Sequence, residues 1–300
     1  MPIIVPEDLP AAGILQDENI IIMKELRAKT QDIRPLKICI LNLMPDKITT
    51  ETQLLRKLSN SIIQVDITLL TTETYQAKNT DKRHLKNFYQ LFSDIRHNKY
   101  DAMIITGAPI EHLAFEEVDY WQELTTIFDW CQTNVFTTLF ICWASQAALY
   151  YYYGIDKKPL KNKLFGVFEH QKKEAHHRLF QGMGDTFWVP HSRNSASDNE
   201  AILNHPDLRV LATSPEAGNH LLSSKNDKFV FMAGHPEYDA DTLEKEYLRD
   251  LLLDNVDLPK NYYQNNQKDQ PILNRWVSDA SLFYLNWLNY SVYQETDYFL

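Results

Sequence analysis

Short apolar segments alternate with amphipathic ones along the first half of the chain, and this alternation constrains the fold more than any other feature. Segments 36–44, 62–70 and 135–142 are mostly apolar runs rich in aliphatic and β-branched residues, which is typical of buried strands. Stretches such as 84–95 and 118–132 carry apolar residues at helical spacing. The pattern predicts an α/β fold, with a mostly parallel sheet covered by helices on both faces.

The second half of the chain has a more mixed pattern. Several strand-like runs follow residue 161, some of which we expect to be antiparallel, and an aromatic-rich helix is predicted at about 277–294. Because no linker rich in Pro, Gly or Ser interrupts the chain, we predict one catalytic domain over residues 1–300. Residues 1–35 are predicted to form an arm on the surface or on a partner subunit.

Composition excludes several classes of protein. The net charge of −10 argues against a generic nucleic-acid binder. Three cysteines without a CxxC pair fit neither a disulfide framework nor a structural zinc site. The chain has neither a basic signal-peptide start nor a run of 18 apolar residues, so we expect a cytoplasmic protein.

Cys142 is the first candidate for chemistry. It lies where a predicted strand turns directly into a predicted helix, at the sheet edge where open α/β folds bind ligands. A helix N-terminus favours the thiolate, and the N–H of Trp143 would point at the same place as an oxyanion donor. Taken alone, Cys142 is better explained as a buried structural cysteine, an interpretation that also fits Cys39 and Cys131.

His235 is the second candidate, because it follows another predicted strand and would reach the same edge. Glu237 lies two residues further on and could accept a hydrogen bond from the other ring nitrogen, as the carboxylate of a catalytic triad does. A surface turn is the alternative. With Cys142, these residues form a Cys-His-Glu hypothesis.

The turn after segment 100–105 could supply a second oxyanion donor. Gly107 would let the backbone approach a ligand closely, and the N–H of Ala108 is the candidate donor. A tight strand-to-helix turn explains the same residues. His170, His176 and His177 lack thiol or carboxylate partners at ligand spacing, so we predict solvated histidines and no metal site.

Several longer stretches of the sequence carry a family resemblance. They read FICWASQAALYYYYG, TGAPIEHLAFEEVDYW, FGVFEH, VPHSR and GHPEYDADTLEKEYLRD. Together with the opening and closing segments, they resemble the homoserine O-acyltransferases of methionine biosynthesis, and the match runs end to end. The resemblance implies a class I glutamine-amidotransferase-like, flavodoxin-like fold, a homodimer and an acyl-thioester mechanism without a bound cofactor.

The resemblance also implies roles for particular residues. Cys142 matches the nucleophile, His235 the general base and Glu237 its partner. The substrate-contacting positions of the family match Lys163, Ser192 and Arg249, and a further active-site lysine matches Lys47. Cationic side chains at two of these positions suit the carboxylate of an amino acid.

The resemblance leaves the donor and the acceptor to be decided. Glu111 falls at the position that tracks the acyl donor, and its carboxylate would repel the free carboxylate of succinyl-CoA, so we predict acetyl-CoA. Ala144 and Asn194-Ser195 depart from the family pattern near the expected acceptor pocket. Homoserine is therefore the leading acceptor and L-serine the alternative.

Other functions remain open from the sequence alone. A succinyl-CoA-dependent homoserine succinyltransferase would use the same mechanism, and a glutamine amidohydrolase would use the same three catalytic residues. A binding protein that has lost turnover is a third class, against which the intact Cys142, His235 and Glu237 argue.

Overall fold

A single sheet runs through the computed structural model, which describes residues 3–6, 8–18, 22–24, 34–74, 80–251 and 256–297. Its strands are β1 (Ile3–Val5), β2 (Ile22–Lys24), β3 (Leu36–Leu41), β4 (Val65–Leu70), β5 (Tyr89–Gln90), β6 (Tyr100–Ile105), β7 (Val135–Ile141), β8 (Lys157–Lys172), β9 (Thr186–Ser197), β10 (Leu208–Ser214), β11 (Gly218–Ser224) and β12 (Phe229–Met232).

The helices connect or flank these strands. They are α1 (Pro10–Asp17), α2 (Lys47–Ser59), α3 (Lys82–Phe88), α4 (Phe92–Ile95), α5 (Trp121–Asn134), α6 (Trp143–Tyr153), α7 (Asn199–Asn204), α8 (Thr242–Asp250) and α9 (Val277–Asn286), which continues as a π-helix over Trp287–Tyr293. Short 3-10 turns lie at Phe115–Glu117, Arg178–Phe180 and Gln264–Asn266. Within the described ranges, no helix is long and apolar enough to cross a membrane.

The strand order explains how distant parts of the chain meet. It runs β2-β1-β4-β3-β6-β7-β12-β11-β10-β8-β9, with β5 beside β4. Pairing is parallel from β2 to β12 and antiparallel from β12 to β9. The predicted fold class, a mostly parallel sheet with helices, is confirmed. The carboxyl ends of β6, β7 and β12 are neighbours, and the candidate catalytic and oxyanion residues follow these three strands.

Both faces of the parallel sheet are covered, as alternating residues of β3 show. Ile38 and Ile40 belong to one apolar cluster, which includes Leu54, Leu55 and Leu58 of α2. Cys39 and Leu41 belong to the opposite cluster, which includes Leu124, Ile127 and Phe128 of α5. A strand buried on both faces needs apolar residues at nearly every position, and β3 has them.

The structure differs from two of the predictions made from the sequence about helices and about the N-terminal segment. Residues 84–95 form two short helices separated by β5, so the single amphipathic helix predicted there is wrong. Tyr89 instead pairs with Leu69 of β4 and is buried. In the segment 1–35, the described residues extend the sheet through β1 and β2, and α1 buries Leu15 against the core instead of forming a separate arm.

Candidate active site

The turn between β7 and α6 presents Cys142 in a strained backbone conformation. Its φ is 52° and its ψ is −114°, in a region that residues with side chains rarely adopt. Trp143 is the first residue of α6, so its N–H has no acceptor within the helix. Such a sharp strand-to-helix turn is the arrangement that projects a nucleophile beyond the edge of a sheet.

Gly107 allows a second loop to lie against this turn. A Cβ added at Gly107 would lie 3.1 Å from the Cβ of Cys142 and 3.6 Å from the nitrogen of Trp143. Only a residue without a side chain fits there without displacement. Ala108 follows directly and lines the same cavity as Cys142, and its role as an oxyanion donor stays a prediction.

His235 completes the arrangement from the loop after β12. Its Nδ1 lies 2.6 Å from Oε1 of Glu237, and because a carboxylate accepts, the ring donates this hydrogen bond. The ring stacks on Tyr238 at 4.2 Å between centroids. Cys142 lines the same cavity as His235, and its charge and hydrogen bonding raise the pKa of this imidazole. The roles of these three residues in catalysis stay a prediction.

Two opposing effects set the protonation of His235. Burial alone lowers the pKa of this imidazole, but the charges of Glu237 and Cys142 and their hydrogen bonds outweigh burial and hold the pKa well above its usual range. A protonated ring is therefore favoured between the thiol and the carboxylate.

A cavity of about 520 Å³ opens above these residues. Nine of the residues singled out from the sequence line it: Gly107, Ala108, Glu111, Cys142, Lys163, Ser192, Asn194, His235 and Arg249. Glu237 and Trp143 are buried in the wall behind. Lys47 does not line the cavity but an adjoining pocket of about 230 Å³, which shares Met44, Pro45, Ala108 and Pro109 with it.

The two cations of the cavity share a carboxylate that sequence analysis missed. Asp250 accepts from Nζ of Lys163 at 2.7 Å and from Nη2 of Arg249 at 2.6 Å. Burial alone would raise the pKa of Asp250, but these two cations outweigh it and lower the pKa. Asp250 follows Arg249 in α8, and that adjacency was the one signal available in the sequence.

Glu246 is a second cavity residue that sequence analysis missed. Its Oε1 accepts from the hydroxyl of Tyr238 at 2.9 Å, whereas its Oε2 is buried and has no hydrogen-bond partner among the described residues. An unpartnered buried carboxylate oxygen is unfavourable unless a ligand supplies the donor. Glu246 lies three residues before Arg249, so helical spacing places both on one face of α8.

Lys47 is held inside the protein beside the active-site loops. Its Nζ donates to the carbonyl of Asn42, and burial lowers the pKa of this ammonium to about 8, although Glu51 partly opposes the shift. Glu51 accepts from Tyr89 at 2.7 Å. Lys47 thus fixes the loop between β3 and α2.

The positions that depart from the family pattern do not all reach the cavity. Asn194 lines it, as expected. Ala144 is fully buried outside the lining, and Ser195 points away from the cavity toward Gln146. The departure from the family pattern at Ala144 is therefore not in direct contact with the cavity.

The remaining cysteines and histidines differ in environment. Cys39 and Cys131 are fully buried, and burial raises the pKa of both thiols, that of Cys131 to about 12. His176 is exposed, and His177 lies against Asp227 at 3.3 Å. His170 is fully buried, so its prediction as a solvated histidine is wrong.

Comparison with solved structures identifies the fold class. A glutamine amidotransferase from Thermotoga maritima superposes with a TM-score of 0.57 at 12% identity, covering 87% of this chain and 100% of that one. A glutamine amidotransferase from Methylobacillus flagellatus gives a TM-score of 0.54 at 12% identity, covering 89% and 98%. The fold is of the class I glutamine-amidotransferase type.

Sequence comparison identifies the family within that class. The family model described as homoserine O-succinyltransferase matches residues 2–298, so the chain belongs to this family. Proteins named homoserine O-acetyltransferase are 56% identical in Bacillus pumilus and 53% identical in Bacillus subtilis, each match covering 99% of both chains. The predicted resemblance is confirmed.

Proposed function

We propose that this protein transfers an acetyl group from acetyl-CoA to the hydroxyl of L-homoserine, giving O-acetyl-L-homoserine for methionine biosynthesis. The observation that carries the proposal is the hydrogen-bonded pair His235–Glu237 beside Cys142, at a cavity that Cys142, His235, Lys163 and Arg249 line. The full-length similarity to homoserine O-acetyltransferases supports the same reaction.

The first half-reaction acylates the enzyme. The thiolate of Cys142 attacks the thioester carbonyl carbon, and the N–H groups of Trp143 and Ala108 stabilise the oxyanion that forms, each such donor contributing about 3 kcal/mol. The carbon–sulfur bond to CoA then breaks. The leaving thiolate takes the proton of the His235 imidazolium, and the acetyl group remains on the sulfur of Cys142.

The second half-reaction transfers the acetyl group to the acceptor. The now neutral His235 removes the proton from the acceptor hydroxyl, whose oxygen attacks the acyl carbon. The bond from that carbon to the sulfur of Cys142 breaks, and the thiolate is regenerated beside a protonated His235. Glu237 keeps the ring oriented throughout. These steps oxidise no atom, so the proposed reaction needs no redox cofactor, and Cys142, His235 and the two N–H groups supply the nucleophile, the base and the oxyanion donors without a metal ion.

The acceptor is held by charges of both signs in the cavity. Lys163, Arg249 and Ser192 bind its α-carboxylate, with Asp250 keeping the two cations together before the substrate arrives. The unpartnered oxygen of Glu246 accepts from its α-ammonium group. L-serine is the alternative acceptor because it carries the same two charged groups on a chain one methylene shorter.

Glu111 sets the donor in this proposal. Its half-buried side chain lines the cavity, where its charge would repel the carboxylate of a succinyl group. We expect Glu111→Gly to gain activity with succinyl-CoA. Glu111→Gln keeps the side-chain volume but removes the charge, so it shows whether charge or volume excludes the succinyl group. An unchanged ratio of kcat/KM for the two donors in both variants would refute this role.

Intact-mass spectrometry tests the whole scheme. Acetyl-CoA without acceptor should leave one acetyl group on Cys142, and homoserine should discharge it faster than serine. Cys142→Ser should abolish fast turnover. Faster discharge by serine would assign that acceptor instead. No adduct with either acyl-CoA, together with release of ammonia from glutamine, would favour a glutamine amidohydrolase.

We also propose that the chain is one catalytic domain, acts in the cytoplasm and forms a homodimer. The continuous sheet supports the single domain. Sedimentation velocity tests the dimer, and a monomer at catalytic concentrations would exclude it.

A further inference from the structure

The side chains on the two faces of strand β9 have different surroundings. Ser192 and Asn194 line the catalytic cavity. Side chains alternate along a strand, so His191, Arg193 and Ser195 point the other way, and all three are buried. The proposed reaction uses only the cavity face, and it leaves three buried polar side chains on the other face without a role.

Arg193 carries a buried charge without a carboxylate among its hydrogen-bond acceptors. It is 3% exposed. Its Nη1 donates to the carbonyl of Ser195 and its Nη2 to the carbonyl of Ala217, both at 2.7 Å, while Nε donates to Nδ1 of His191 at 3.4 Å. A buried cation with only neutral acceptors is unfavourable unless another negative charge stabilises it.

One arm of this network leads to the nucleophile. The hydroxyl of Ser195 donates to Oε1 of Gln146 at 2.7 Å, and Nε2 of Gln146 donates back to the carbonyl of Ser195 at 3.1 Å. Gln146 lies one turn into α6, and its N–H donates to the carbonyl of Cys142 at 3.2 Å. Arg193 therefore holds the first turn of the helix that begins at the nucleophile.

The other arm leads to the base. A Cβ at Gly234 would lie 2.8 Å from Nε2 of His191 and 2.6 Å from Cγ1 of Val189, so the backbone before His235 rests directly on His191. The N–H of His235 donates to the carbonyl of Pro190 at 2.8 Å. The position of His191 therefore determines where His235 lies.

The hydrogen bonds of three buried histidines admit one arrangement of protons. Arg193 can only donate, so Nδ1 of His191 accepts and its Nε2 carries the proton toward Nε2 of His170, 3.3 Å away. His170 in turn donates from Nδ1 to the carbonyl of Phe168 at 2.9 Å. The N–H of Gly234 donates to Nδ1 of His220. Nδ1 of His220 is therefore an acceptor, and the ring proton of His220 lies on Nε2, as it does in His191.

These protons argue against a metal ion among the three rings. The ring nitrogens of His170, His191 and His220 lie within 4.8 Å of one another. A ligand nitrogen needs a free lone pair, but Nε2 of His191 and of His220 carries a proton. Burial lowers the pKa of all three rings, that of His170 to about 4, so the rings are neutral and Arg193 is the cation of the network.

We propose that Arg193 is a positioning residue for acyl transfer, which fixes the Cys142 helix and the His235 loop relative to each other. This inference rests on the proposed role of Cys142 and His235. A mutual interaction supports it: burial lowers the pKa of Arg193, whereas the charges of Cys142 and Glu111 raise it.

Arg193→Lys tests the proposal, because lysine keeps a charge but cannot hold three acceptors at once. The matched control is Arg209→Lys on β10, whose guanidinium binds Glu174 and Asp227 away from the cavity. The readout is the rate of iodoacetamide alkylation at Cys142, mapped by peptide mass, with the buried Cys39 and Cys131 as internal references. This readout requires no substrate, so it is independent of the identity of the acceptor.

We expect Arg193→Lys to slow alkylation about tenfold, because the Cys142 helix and the His235 loop would lose the contacts that hold them in place, and Arg209→Lys to leave it unchanged. In turnover, kcat should fall while the KM for the acceptor stays constant, because Ser192, Lys163 and Arg249 remain. Ser195→Ala, a milder change in the same network, should slow alkylation less and covers the case in which Arg193→Lys does not fold. Wild-type alkylation rates in folded variants, or a stoichiometric metal ion in the purified protein, would overturn the proposal.

Discussion

At the scale of single residues, reactivity depends on a backbone conformation that the surrounding chain enforces. Cys142 has a positive φ although it carries a side chain, and the parallel strands β7 and β12 hold the turn on both sides. The N–H of Cys142 donates to the carbonyl of Met232 at 2.7 Å, which ties the turn to the strand leading to His235. The strain is therefore maintained by the same strand pairing that brings the base to the thiol.

We expect Gly107→Ala to lower kcat about tenfold or more, because its methyl group would press on the Cβ of Cys142 at 3.1 Å and displace the thiol from the oxyanion donors. Steady-state kinetics with acetyl-CoA measures the effect. The matched control is Gly13→Ala in α1, where an added Cβ has nothing within 4 Å and removes a helix-weakening glycine. Equal activity of both variants would show that Gly107 can move without consequence.

At the scale of elements, α8 contributes one face of the cavity. Glu246, Arg249 and Asp250 lie at helical spacing along it, and the helix presents both signs of charge to a substrate that carries both. Asp250 also reaches Lys163 on β8. The helix thus joins the antiparallel part of the sheet to the catalytic edge.

We expect Glu246→Gln to raise the KM for the acceptor about tenfold or more, because a neutral amide stabilises an ammonium group less than a carboxylate does. Acetylation of Cys142 by acetyl-CoA alone should keep its wild-type rate. Glu244→Gln on the same helix, whose carboxylate accepts from Tyr263 at 3.0 Å, is the matched control. If acylation slowed as much as transfer, Glu246 would act on the nucleophile instead of the acceptor.

The sequence predicted those elements whose pattern is local. The runs at β3 and β7 are mostly apolar, and Cys142 and His235 lie just after strands, so their positions at one edge could be inferred from strand parallelism. The helix predicted over residues 84–95 failed because Tyr89 is fixed by tertiary contacts. Its hydroxyl donates to Glu51, and its backbone pairs with β4, which outweighs the helical spacing of its neighbours.

The missed site residues share a different cause. Glu246 and Asp250 can be recognised as site residues only from their hydrogen bonds to Tyr238 and Lys163, which lie elsewhere in the chain. His170 was missed for the same reason, because its burial depends on β9 and β11, which are distant in sequence. Charge spacing within a helix does not reveal which side chains lie across a cavity.

At the scale of the whole molecule, buried neutral histidines make stability depend on pH. The folded-state pKa of His170 is lowered to about 4 by burial, below its usual 6.5, and those of His191 and His220 are lowered as well. Their contribution is therefore complete above the unfolded-state pKa and is lost as the pH falls. For His170 alone it amounts to about 3 kcal/mol at full loss.

We expect the free energy of unfolding in urea to fall between about pH 7 and pH 5, because the unfolded chain binds protons first. His220→Asn should reduce this slope, since the amide oxygen can still accept from Gly234 but does not titrate. His176→Asn, at an exposed position, should leave the slope unchanged. A slope in His220→Asn equal to that of the wild type would assign the pH dependence to other groups.

The place of β12 between β7 and β11 has a consequence for synthesis on the ribosome. The segment that carries Cys142 leaves the ribosome long before Phe229–Met232, which must insert beside β7 to bring His235 to the thiol. Until then β7 is an edge strand of the nascent parallel sheet, and an unpaired edge strand can pair with strands of other chains. The nascent chain thus carries Cys142 without its His235 partner, and an unpaired sheet edge, while residues 143–232 are synthesised, and one late strand removes both.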